Sequence, residues 1–166
     1  EYGLKLDFFD LEADFVMTSR GCPAACTFCS ASKMFPGGVR TRDPQLVKAE
    51  IEDILAKNDK IKALKIFDST FTANREHVEA FCEMVSPFNL KWECEIRADT
   101  VDKELLTIMR DAGCCYINVG LETTDTTLLV DIRKQIDVKQ VEVALAWCRE
   151  LGIKSKVFFI FGHVGQ

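Results

Sequence analysis

No stretch of the 166 residues supplies the run of about 18 apolar residues that a membrane-spanning helix needs. The charged N-terminus has no signal-peptide pattern. Basic blocks are missing as well, and a formal net charge of -5 lacks the electrostatic footprint of non-specific DNA or RNA binding. It does not speak against a structured RNA met through another domain. Two further absences concern the eight cysteines. There is no second Cys-x2-Cys pair to complete a zinc knuckle, and no fourth cysteine follows closely behind the third as in a ferredoxin. A secreted disulfide scaffold belongs to short chains with extracellular signals, so a reducing cytoplasm is the expected location. The composition, 48% apolar, suits one globular domain with a substantial core.

What is present is concentrated in one stretch, Ser19-Arg20-Gly21-Cys22-Pro23-Ala24-Ala25-Cys26-Thr27-Phe28-Cys29-Ser30. Its cysteines are spaced Cys-x3-Cys-x2-Cys, close enough along the chain to wrap one soft centre. The simplest chemical reading is an iron-sulfur cluster held by Cys22, Cys26 and Cys29, with one iron left open for a substrate or cofactor. Idle surface thiols are the alternative, and clustered reactive thiols without a role are an oxidation hazard.

This loop, with Phe28 before its third cysteine, resembles the cluster loop of the radical SAM enzymes. The resemblance implies a [4Fe-4S] cluster whose open iron is chelated by the amino and carboxylate groups of S-adenosylmethionine (SAM). It also implies an external electron donor and reductive cleavage to methionine and a 5'-deoxyadenosyl radical.

Along the chain, strand and helix patterns alternate five times. Strands are expected at 14–18, 63–68, 90–97, 115–122 and 156–161, the last apolar on both faces and so read as a buried parallel strand. Helix starts are marked by Asp43-Pro44, Asn74 and Asp102, and stops by Ser86-Pro87, Gly113 and Gly152. Further helices are expected over 125–134 and 137–151. Such alternation calls for parallel pairing, in an open doubly wound sheet or a barrel. Polar residues on one face of the third and fourth strands favour the barrel. A complete eight-fold barrel takes about 250 residues, so the expected fold is an α/β partial TIM-like barrel. Residues 1–13 form a lead-in and 14–166 the core, and the chain reads as a piece of a longer protein, cut before a sixth unit.

In parallel α/β folds ligands gather at the carboxyl ends of the strands. The polar and glycine residues there are Asp68-Ser69-Thr70, Glu95-Ile96-Arg97, Gly120-Leu121-Glu122 and Gly162-His163. By the resemblance, Glu122 accepts hydrogen bonds from the SAM ribose, as a carboxylate can from a diol. Ser69 and Thr70 stand where the family has Gly-Gly-Glu for the methionine amino group, and Ile160 and Gly162 flank adenine together with Phe28 and Val119. In place of the usual Gly-x-Pro-Gly-Glu ending stand Val164 and Gln166. Glu95 and Arg97 share one side of a strand, set either to pair with each other or to reach cofactor and substrate. His77 is expected to face solvent, and His163 lies on the functional rim. Cys82, Cys94, Cys114, Cys115 and Cys148 are expected in the core.

The front motif and Gly-Leu-Glu look most like radical SAM members with an added cobalamin-binding or RNA-modifying domain. That similarity implies methyl or methylthio transfer on a small molecule or RNA. The other class of function is an iron-sulfur electron-transfer or metal-binding module that does not use SAM.

Overall fold

The computed structural model describes residues 5–6 and 9–163. Five parallel strands carry the architecture: β2 (Leu11–Val16), β5 (Ala63–Ile66), β6 (Lys91–Ile96), β7 (Cys114–Glu122) and β8 (Lys154–Phe159), hydrogen-bonded in that order. A short β1 (Lys5–Leu6) adds antiparallel to the outer edge of β2. Much of the lead-in is therefore strand, and only 1–4 and 7–8 lie outside the described residues.

Between the parallel strands run α2 (Pro44–Lys57), α3 (Arg75–Val85), α4 (Lys103–Asp111), α5 (Thr126–Asp131) and α6 (Val138–Leu151). Their starts are chemical. Asp43, Asn74 and Asp102 each accept a backbone N–H of the first turn, and Asp137 forms a capping box with Gln140. Helices α2, α3, α4 and α6 pack as successive neighbours on one face of the sheet. The opposite face carries Lys65, Glu93, Glu95 and Asn118 and lines a cavity. Covering on one face only is a half-barrel, with the polar face turned to the lumen, and it rules out the doubly wound alternative.

The core lies between sheet and helices. Trp92, Phe71 and Phe81 meet edge to face with centroids 5.3–5.6 Å apart, contacts worth about 1 kcal/mol each beyond their burial. Trp92 also donates its Nε1 proton to the Ala112 carbonyl at 2.9 Å. Cys82, Cys94, Cys114 and Cys148 are buried here. Burial pushes the Cys82 and Cys148 thiols up to about 12, so they behave as small apolar groups.

One expectation fails. Strand β8 is the sheet edge, and most of it is exposed, Phe159 at 47%. Only Val157 on its helix-side face packs against the core, and the rest of its apolar run lies open at the sheet edge, where the pattern had suggested full enclosure.

Candidate functional site

The cysteine loop is built by a clamp at its base. Strands β3 (Ser19–Arg20) and β4 (Arg40–Thr41) pair antiparallel and bring the two ends of the loop together. Gly21 has φ +97°, and a Cβ there would collide with the Gly38 carbonyl oxygen, so only glycine permits this closure. A one-turn helix α1 (Ala31–Met34) follows the third cysteine. The loop is tied across the rim by the Thr27 N–H, which donates to the Ile132 carbonyl at 2.9 Å.

A buried network fixes the loop to β5. Asp68, 2% exposed, accepts from the Thr18 N–H at 2.7 Å and from the Thr18 and Ser19 hydroxyls at 2.6 Å each. Because the single Thr18 hydroxyl proton is committed to Asp68, the His77 Nε2 at 2.8 Å is the donor to Thr18 Oγ1. His77 is therefore buried, contrary to the solvent-facing expectation, and burial lowers its pKa, with Asp68 opposing. The helical spacing of its neighbours hid this, since its partners come from the β2 end and β5.

Cys22, Cys26 and Cys29 hang from this frame. Cys22 Sγ lies 3.2 Å from the Thr70 hydroxyl, and the Ala31 N–H donates to Cys29 Sγ at 3.4 Å. Burial raises the Cys26 pKa, opposed by Lys134 and Arg97 and reinforced by Cys22 and Cys29. Among the described residues no group converges tightly enough for a single metal ion. A four-iron cluster is wider than an ion and is gripped at its corners. Three thiols on one loop, with the Ala31 N–H donating to Cys29 and two cations acting on Cys26, fit such a centre.

Opposite the loop, β7 ends in Gly120-Leu121-Glu122. Two residues here face one on β8, making a bulge at Leu121. Glu122 is 7% exposed with φ +72°, a left-handed conformation rare outside glycine. Its Oε1 accepts from Lys134 Nζ at 2.8 Å. A Cβ at Gly120 would fall on that carboxylate oxygen, so glycine makes room for the carboxylate to fold back. Glu122 and Ile160 line one small cavity of about 260 Å³ with Thr123, Thr124, Phe159 and Phe161. Phe28, half-exposed on the loop, sits edge-on to His163 at 5.9 Å, with Lys134 Nζ 6.0 Å from its ring centre.

Other expected residues divide. Ser69 and Glu95 line a larger cavity of about 460 Å³, while Thr70 is buried against Cys22. Arg97 does not pair with Glu95. It takes Asp99 bidentately at 2.8 and 2.9 Å and donates to the Lys134 carbonyl at 3.0 Å, because the turn after β6 brings Asp99 closer. Gly162 has φ +85° and is exposed. Val119 is fully buried in the core. Val164 and Gln166 lie outside the described residues. Sequence reasoning missed Lys134, which reads as one more charge at a helix end. Only positive φ at both Arg133 and Gln135 turns it inward.

The comparisons agree with this geometry. The family model described as "Radical SAM superfamily" matches residues 16–166. An uncharacterised methyltransferase from Pyrococcus horikoshii is 30% identical over 149 residues, covering 89% of this chain and 32% of that protein. The anaerobic magnesium-protoporphyrin IX monomethyl ester cyclase of Cereibacter sphaeroides is 35% identical over 150 residues, 87% of this chain and 24% of that one. Among solved structures, the radical S-adenosylmethionine methyltransferase TsrM from Kitasatospora setae superposes with a TM-score of 0.83 at 21% identity. That match covers 93% of this chain and 31% of the other. The cobalamin-dependent radical enzyme OxsB gives 0.77 at 24% identity, over 90% and 24%. The chain thus spans a third or less of the length of these relatives. A half-barrel with three cysteines on its carboxyl rim, matched by the family model over nearly its whole length, places this chain in the radical SAM superfamily, whose enzymes use a [4Fe-4S] cluster and SAM.

Proposed function

We propose that this chain is the catalytic core of a radical SAM enzyme that holds its cluster through Cys22, Cys26 and Cys29. The observation that carries the reading is the placement of those thiols across the rim from a buried, folded-back Glu122 that shares a cavity with Ile160. When bound, cluster and SAM together supply a 5'-deoxyadenosyl radical by reductive cleavage of the sulfonium bond.

The chain's own residues bind and orient. Glu122 accepts the ribose hydroxyls, and Ile160, Gly162 and Phe28 border the adenine side. Ser69 and Thr70 offer groups toward the methionine amino end. Lys134, a buried ammonium beside Glu122 and Phe28, is set to meet a carboxylate. Arg97, anchored on Asp99, lends positive charge near Cys26.

The finer reading is methyl or methylthio transfer, aided by cobalamin held in a domain outside this chain. It is supported by relatives described as methyltransferases and by neighbours described as cobalamin-dependent. An external reductant and a small-molecule or RNA substrate complete the scheme. Among the described residues no helix is long and apolar enough to cross a membrane.

The test is electron paramagnetic resonance on anaerobically reconstituted, dithionite-reduced protein with and without SAM, alongside an iron and sulfide count. A reduced [4Fe-4S] signal that changes shape with SAM is expected. A signal indifferent to SAM sinks the proposal in favour of an electron-transfer module. Alanine at any one of the three cysteines is expected to abolish the cluster.

A further inference from the structure

Beneath the rim, the inner face of the sheet opens into the 460 Å³ cavity, a volume in the range of small-molecule sites. Its wall on the loop side is apolar: Met17, Met34, Phe35 and Phe67. Its floor is charged, and one of its carboxylates has a cation assigned to it. Glu93 pairs with Lys65 at 3.4 Å, and beyond the cavity, at the end of β7, Glu122 pairs with Lys134 at 2.8 Å.

Glu95 lies between these pairs on the lumen face of β6, and among the described residues it has neither a hydrogen-bond donor nor an ion-pair partner. Arg20, which also lines the cavity, is not among the charges that act on it. Burial and the neighbouring Glu93 and Glu122 all raise the Glu95 pKa, and Lys134 opposes them only in part. The lining holds three carboxylates, Asp68, Glu93 and Glu95, against Lys65 and Arg20; Asp68 is satisfied by Thr18 and Ser19 and Glu93 by Lys65, which leaves Glu95. A cation meets an exposed carboxylate that lacks a partner among the described residues, with an apolar wall beside it to hold the rest of the molecule.

We propose that this cavity is the substrate chamber and that Glu95 receives the substrate's positively charged nitrogen, so that the substrate is a small molecule carrying a protonated amine or guanidine on an apolar body. The proposal rests on the radical SAM reading for the word substrate. The recognition itself rests only on the cavity, its apolar wall and the unmatched carboxylate. In that pose the apolar body lies along Met34, Phe35 and Phe67, on the side where the cysteine loop closes over the lumen.

The test uses two probes with the same aromatic body and opposite charge, phenethylamine and hydrocinnamate, titrated by ligand-observed NMR into the reconstituted full chain. Wild type is expected to prefer the amine by about tenfold or more, and Glu95→Gln to lose that preference, whereas Glu95→Asp keeps part of it. The net charge of the chain is nearly the same in these variants, so a non-specific attraction would survive the change to Gln. Equal affinity for the two probes in wild type, including no binding of either, overturns the proposal. So does a Glu95→Gln protein that still prefers the amine, or one whose SAM affinity falls by as much as its amine affinity, which would put Glu95 in the cofactor subsite. Should the cluster signal ignore SAM while the amine preference stands and needs Glu95, the enzymatic reading fails and the cation site remains.

Discussion

Lys134→Met probes the pairing at the centre of the rim. The Lys134 and Glu122 side chains are 9% and 8% exposed and meet at 2.8 Å. Removing the ammonium leaves a carboxylate in a place water scarcely reaches, with its backbone already held at φ +72°. Breaking a buried pair from one side costs about 3–5 kcal/mol, and the methionine returns a fraction of that through contact with the Phe28 ring. The net expectation is a loss of about 3 kcal/mol for Lys134→Met. Glu122→Gln, which strands the ammonium, is expected to lose about as much. The double variant carries neither stranded charge, so its loss should fall short of the sum by about 2 kcal/mol or more. Urea denaturation followed by tryptophan fluorescence gives all three values under one set of conditions. Losses that add to within about 0.5 kcal/mol would show that the pair is not coupled, and would remove the argument that Lys134 holds Glu122 in its folded-back position.

Asp68→Asn replaces an oxygen that accepts from hydroxyls with an NH2 that cannot, among the three donors from Thr18 and Ser19; a loss of about 2–4 kcal/mol is expected, and an unchanged urea midpoint would refute the clamp. Gly120→Ala puts a methyl where the Glu122 carboxylate and the Lys134 ammonium now lie. SAM affinity measured by calorimetry should fall about tenfold or more, and an unaltered affinity would detach Glu122 from the site. Glu95 has a pKa raised in the folded state above the ordinary 4.5, so its contribution to stability is complete below that value and is lost as pH rises through the folded pKa. Glu95→Gln has no such loss and should gain on wild type across that window. Parallel curves of urea midpoint against pH would contradict it.

The cysteine loop and the helix starts were legible because their chemistry is local. Three thiols within eight residues and an Asp or Asn before an apolar period mean the same thing wherever the chain goes. Glu122 was legible through its place at a strand end. Lys134, Asp99 and His77 were not, since each owes its role to a partner supplied by the fold. Lys134 meets Glu122 from twelve residues away through a turn with two left-handed residues, and His77 joins a network whose other members precede it by up to 59 residues. The pairing of Glu95 with Arg97 was a sound inference from strand parity. It failed because a two-residue turn gave Arg97 a closer acid. For β8, an apolar run is the same string of letters whether its strand is enclosed or lies at an edge.

The bulge in β7 also bears on how this chain tolerates insertion and deletion. Side chains along a strand alternate faces, and Asn118 and Gly120 stay on the lumen side with Tyr116, the partner of Glu93, only because every residue after Tyr116 is counted. Removing a single residue between Tyr116 and Gly120 would leave a strand that still alternates and still pairs, yet it would turn the Glu122 carboxylate toward the helix layer and set Thr123 in its place. Length changes should therefore be purged from this strand, and also from the start of α5 beyond it, where Asp125 caps the first turn through Thr127 and Leu128. When diverged copies of this domain are compared, a gap placed inside β7 is a sign of misalignment before it is a sign of history.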